Sequence, residues 1–136
     1  MPRTVISTTA APQPRAAYSQ AISTGALVFT AGFGSHDPQT GEVRGDDIRS
    51  QTRYTLDNVA AALEAAGLGL GSIVKVTAHL ADLVRDFSGF NEVYRDYLSA
   101  PYPVRTTVGS TLMGILVEID VVAVTDAPAG DEAPQS

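Results

Sequence analysis

A chain of 136 residues, 44% of them hydrophobic, is long enough for one domain with a substantial core, and its net charge of -6 argues against a nucleic-acid footprint, which needs clustered Lys and Arg. With no cysteine, disulfides, thiol catalysis and thiolate metal sites are excluded, and the two histidines, His36 and His79, lack metal-ligand spacing. The start has no signal-peptide core and no run is long enough to span a bilayer, so a cytoplasmic location is expected, with neither membrane nor nucleic acid as partner.

Residues 1–15, rich in Ala, Pro and Thr, are expected to lie over the surface, with a short strand at Val5–Ser7. Ala17–Thr24 reads as a strand carrying Tyr18-Ser19-Gln20-Ala21, and Leu27–Ala31 as a stronger one, broken by Gly32 and Gly34. Ser35–Gly41 is turn chemistry throughout. A first helix is expected from about Asp47 to Ala66, capped by Asp46 or Asp47, with Ile48, Thr52, Leu56, Val59, Leu63 and Ala66 as its apolar stripe. Gly67 is a natural residue to end it, with Leu68 placed for the hydrophobic contact that follows. Asp57-Asn58, mid-helix, reads as solvated helix surface.

Ile73–Leu80 alternates as a half-buried strand, with Ile73, Lys75, Thr77 and His79 on one face and Val74, Val76, Ala78 and Leu80 on the other. His79 is given a structural role. A second helix is expected over Asp86–Leu98, capped by Asp86, with Leu83, Phe87, Phe90, Tyr94 and Leu98 in line; Pro101 and Pro103 keep it from continuing. Beyond Val124 the composition is that of a disordered end, so residues 1–124 form the single domain and 125–136 a tail.

The stretch Pro101–Ala123 holds two β-rich runs flanking a connection with Gly109 and Gly114, the pattern of a hairpin with a longer loop. Arg105 and Thr107 share a face of the first run; Glu118 and Asp120 interrupt the second, opposite Val117, Ile119 and Val121. In a hairpin symmetric about Thr111–Leu112, Arg105 lies across from Glu118, with Cβ atoms about 4.5–5.5 Å apart. On the residues alone, a cross-strand ion pair worth about 0–1 kcal/mol if exposed is the default reading. Its apolar setting argues for a partner or a purpose. The element order, strand, strand, helix, strand, helix, strand, strand, implies an α+β fold with two helices on one face of a mostly antiparallel sheet. The other sheet face keeps Val and Leu, which suggests a homo-oligomer.

Several segments together resemble the RidA-like (YjgF-like) reactive-intermediate deaminases. They are Tyr18-Ser19-Gln20-Ala21, Thr30-Ala31-Gly32, Thr40-Gly41-Glu42, Leu56-Asp57-Asn58, Phe90-Asn91-Glu92-Val93-Tyr94, Pro103-Val104-Arg105-Thr106-Thr107-Val108 and Val117-Glu118-Ile119-Asp120-Val121-Val122-Ala123. No single segment is specific; their order from about Ala17 to Ala123 is. The resemblance implies a chorismate-mutase-like fold, a homotrimer with active sites in its inter-subunit clefts, no cofactor, and hydrolysis of enamines and imines such as 2-aminoacrylate to 2-keto acids and ammonia.

It also implies roles. The family's carboxylate-gripping arginine falls on Arg105, its water-positioning acid on Glu118, its aromatic wall on Tyr18 and its cleft asparagine on Asn91. Ala31 and Gly32 fall in the substrate-contacting turn, and Thr107 stands where many members have cysteine. Phe33 replaces a glutamine of the best-known members, Ala16-Ala17 stand in place of Gly-Pro, and Met113 lies in a shortened connection where a Leu-Pro pair is common. These departures bear on substrate preference.

The chemistry is coherent on its own terms. Arg105 can bind the carboxylate of a 2-imino acid through a planar fork. Glu118, kept ionised by Arg105 beside it, can hold water against the imine carbon and take its proton. Two other classes stay open: a trimer that binds a small carboxylate without turnover, and a different imine-processing deaminase in a catabolic or biosynthetic pathway, which Phe33 favours by making the cleft more apolar. Ribonuclease activity fits poorly with an acidic chain lacking a basic groove.

Overall fold

The computed structural model describes residues 3–125; the expected tail lies outside them, apart from Thr125. Strands β1 (Thr4–Ile6), β2 (Ala21–Ser23) and β3 (Leu27–Thr30) precede helix α1 (Ile48–Glu64). Strand β4 (Ile73–Leu80), helix α2 (Leu83–Tyr97), and strands β5 (Val104–Gly109) and β6 (Val117–Val124) complete the domain. This is an α+β fold whose front strand β1 is the short one expected at Val5–Ser7, shifted one residue earlier and added to the expected order. The strand called at Ala17–Thr24 shrinks to Ala21–Ser23, leaving Tyr18 ahead of it.

The helix starts follow from capping. Asp47 accepts from the Ser50 amide at 2.8 Å while the Ser50 hydroxyl reaches back to the Asp47 amide. At the other end, Gly67 adopts φ 78°, and the Leu68 amide reaches the Leu63 carbonyl at 2.9 Å, the left-handed stop that the sequence implied. Helix α2 begins three residues before the expected Asp86, because Asp82 is the cap, accepting from the Arg85 amide at 3.1 Å. Asp86 instead lies in the first turn, buried against the Arg85 guanidinium at 2.9 Å.

All six strands form one mixed sheet, in the order β1-β2-β3-β6-β4-β5. Four of its five pairings are antiparallel; β4 and β5 are parallel, as a helical crossover through α2 requires. The expected hairpin between β5 and β6 does not exist, because β4 lies between them. The connecting loop straddles the end of β4: the Ser110 amide donates to the Leu80 carbonyl, and the Ala81 amide to the Leu116 carbonyl, each at 3.0 Å.

Both helices pack on one face, over Val28, Val76, Ala78, Leu80, Val117, Ile119 and Val121, where Leu56, Val59, Leu63 and Phe90 complete the core. A register irregularity between Ile73 and Lys75 puts Ile73 on this buried face and leaves Val74 exposed, the reverse of strict alternation. Along the open face, Val5, Ile22, Phe29, Val122, Lys75 and Val104 pair in one row across the whole sheet. Val5, Phe29 and Val104 in that row are exposed apolar side chains.

Candidate functional site

Strand alternation sends the two proposed catalytic side chains to opposite sides of the sheet. Arg105 pairs with Val76, which is on the helix face, whereas Glu118 pairs with His79, three residues along β4 and on the open face. The ion pair read from the sequence is therefore overturned within one chain, as is the idea that Arg105 holds the neighbouring Glu118 ionised. The local alternation was right; the assumed strand partner was wrong.

Arg105 sits at the edge of α2. Its Nη1 donates to the Asn91 Oδ1 at 2.9 Å, and its guanidinium carbon lies 4.5 Å from the Tyr94 ring centre and 5.4 Å from that of Phe90. Among the described residues no carboxylate pairs with it. The aromatic faces and Asn91 fix a planar cation without neutralising it. Asn91, Tyr94, Arg95, Tyr102, Pro103 and Arg105 line a recess of about 350 Å³. Tyr94 is 3% exposed and its hydroxyl has no hydrogen-bond partner among the described residues. Burial pushes its pKa up from 10.0, so it is a donor at neutral pH. From the sequence Tyr94 reads only as helix packing; its place beside Arg105 comes from the tertiary structure.

Glu118 opens into a second, larger cleft of about 880 Å³ on the other side of the sheet. Tyr18, 51% exposed, Gly32, Phe33, His36, His79 and Ser110 are among its lining residues. Gly32 is needed there for close approach: a Cβ would lie 2.6 Å from the Glu118 Oε2. Phe33 pairs with Ile119 and is 4% exposed, so its ring is mainly core packing and only marginally part of the cleft wall. Burial, with Arg15 nearby, lowers the pKa of His36, opposed by Glu118. Two expected substrate-contacting residues line neither cleft: Ala31, whose amide donates to the Gln20 carbonyl at 2.9 Å, and Thr107, on the Arg105 face of β5.

The Glu118 cleft depends on a buried residue that was read as solvated. Asn58 is 2% exposed; its Nδ2 donates to the carbonyls of Gly34 and His36 at 2.9 Å each, and its Oδ1 accepts from Arg44 at 3.4 Å. It ties α1 to the loop after Gly32. Asp57 does stay at the surface, accepting from the Tyr97 hydroxyl at 3.0 Å.

Residues 8–125 match the family described as Endoribonuclease L-PSP. A RutC family protein of Pyrococcus horikoshii is 44% identical over 121 residues, which are 88% of this chain and 95% of that protein. The chloroplastic Reactive Intermediate Deaminase A of Arabidopsis thaliana is 39% identical, over 88% of this chain and 64% of its own length. A crystal structure of Escherichia coli TdcF with bound serine superposes with a TM-score of 0.83 at 36% identity, covering 90% of this chain and 99% of that one. With this match across nearly the whole domain, and the fold to go with it, the chain belongs to the Endoribonuclease L-PSP family, the RidA/YjgF-like family its motifs resemble.

Proposed function

We propose that the protein is a hydrolytic deaminase of 2-enamine and 2-imine acids, working as a homotrimer whose sites combine the Arg105 recess of one subunit with the Glu118 cleft of the next. The observation that carries this reading is the mounting of Arg105 and Glu118 on opposite faces of one sheet. Each half is prepared, and a second copy is the simplest way to join them. The apolar row on the open face gives such a copy a surface to dock on.

In the joined site, Arg105 binds the substrate carboxylate and Tyr94 adds a neutral donor. Asn91 holds the guanidinium plane. Glu118 takes a proton from water as it adds to the imine carbon, and the resulting aminol expels ammonia to leave the 2-keto acid. Serine, bound to the related TdcF, is also a small 2-amino carboxylate, which supports this class of ligand here. The acidic balance of the chain weighs against RNA as substrate despite the family's name.

The test uses two inactive variants. Arg105→Ala should abolish ammonia release from 2-imino acids generated in situ, and Arg105→Lys should restore little of it. Glu118→Gln should lower kcat by roughly 10²–10⁴-fold with a smaller effect on KM. Co-expressing Arg105→Ala with Glu118→Gln should regain activity, because mixed trimers pair an intact arginine with an intact glutamate in about a quarter of sites. Failure of mixed assemblies to regain turnover would sink the inter-subunit site. Wild-type protein without turnover on any imine would leave the binding-only reading standing.

A further inference from the structure

Resting on the deaminase reading, we propose that His79, held by Ser110, is the general acid that protonates the substrate nitrogen alongside the Glu118 base. The sequence offered His79 only a structural place, but the fold puts it beside Glu118. The two are register partners across β4 and β6, so their Cβ atoms are about 4.5–5.5 Å apart on one face. Both line the larger cleft, and His79 is only half-buried.

The Ser110 Oγ lies 2.7 Å from the His79 Nδ1. This contact comes from the loop that straddles the end of β4, where the Ser110 amide is fixed on the Leu80 carbonyl at 3.0 Å. When Nε2 exchanges its proton, Nδ1 keeps its hydrogen and donates to the Ser110 Oγ in both the neutral ring and the imidazolium, so Ser110 serves both states without moving. With Nδ1 occupied, Nε2 is the nitrogen left to exchange a proton; among the described residues it has no hydrogen-bond partner. Imidazole is the side chain suited to such exchange near neutral pH. The charged neighbours are Glu118 and Asp120 on β6, Lys75 further along β4, and His36, Arg15 and Asp37 from the loops of the same cleft. On this face β5 contributes only Val104, Thr106 and Val108, which carry no charge.

The step balances. Water oxygen bonds to the imine carbon, one water proton goes to the Glu118 carboxylate, and the C=N electron pair moves to nitrogen, which takes the proton of the His79 imidazolium. The aminol then takes the Glu118 proton on its amino group, the C–N bond breaks with its electron pair leaving on ammonia, and the hydroxyl proton returns to His79 as the carbonyl forms. Both side chains end as they began.

The experiment is a pH profile of kcat on a 2-imino acid generated in situ by an amino-acid oxidase, with spontaneous hydrolysis subtracted. Wild-type kcat should fall on an alkaline limb as the imidazolium is lost. His79→Gln should lower kcat by roughly 10–100-fold, remove that limb and change KM by less than about twofold. Ser110→Ala should keep the limb but displace it, and Ser110→Thr should restore its position. His79→Ala should be rescued by added imidazole, which covers the case of a poorly folded glutamine variant. An unchanged kcat and limb in His79→Gln, with active wild type, would overturn the role of His79 alone. Inactive wild type would overturn the deaminase reading and this role together.

Discussion

Gly32 shows how one missing side chain keeps the Glu118 cleft open. A Cβ there would sit 2.6 Å from the Glu118 Oε2 and 2.8 Å from its Cδ. Because the obstacle is the far end of a flexible side chain, Gly32→Ala should leave the fold nearly untouched while pushing the carboxylate aside. The expected result is a Tm within a few degrees of wild type and a kcat lowered by roughly 10²-fold, since a misplaced reacting group costs about that much. A fully active Gly32→Ala protein would show that the Glu118 position tolerates displacement, contrary to a water-positioning role. The structure gives no comparable reason for selectivity at Phe33, whose ring is core.

At the level of elements, polar side chains inside the domain fasten irregular segments to regular ones. Asn58 ties α1 to Gly34 and His36, while the buried Gln20 holds the Thr8, Ala11 and Pro12 carbonyls and accepts from the Thr8 amide at 2.7 Å. Gln51 does the same for the β5–β6 connection, accepting from the Leu116 amide at 2.9 Å. Removing such a partner strands buried carbonyls, at about 1–3 kcal/mol. Asn58→Ala should therefore lower unfolding free energy by about that amount in denaturant melts, and hydrogen exchange should speed up at residues 33–36 first. Uniform exchange across the domain would mean that Asn58 supports the core generally and not this loop.

For the whole molecule, the proposed assembly puts the open sheet face between copies, and Asp120 is a half-buried acid on that face. Burial raises the Asp120 pKa above 3.8, with His79 and Lys75 only partly opposing. A carboxylate whose folded value is raised favours the folded form when protonated, so its stabilising contribution is present at low pH and lost as pH rises through the raised value. Docking another copy on this face would deepen the burial. Subunit association, followed by light scattering across pH 4 to 7 (about three units above the ordinary carboxylate value), should weaken as pH rises, and Asp120→Asn should bind more tightly at neutral pH and flatten that dependence. Equal dissociation constants for wild type and Asp120→Asn at neutral pH would place Asp120 outside the contact.

What the sequence determined by itself were the features set by near neighbours. The α1 cap at Asp46 or Asp47, which the structure assigns to Asp47, its stop at Gly67, and the split of Arg105 and Thr107 from Val104 and Thr106 all follow from helical periodicity, capping and strand alternation. The family was legible for a related reason, because short segments kept their order along the chain. Tertiary structure alone decided which strands pair. Val117 to Val124 buries a row of side chains against α1 and fills both its edges with β3 and β4, so β5 is left to pair with β4 from the other side. That long-range choice separated Arg105 from Glu118 and carried Ser110 onto His79, while the loop after Gly32, lying against α1, buried Asn58. None of these contacts leaves a periodic signal, since each joins residues brought together only by the packing of distant elements.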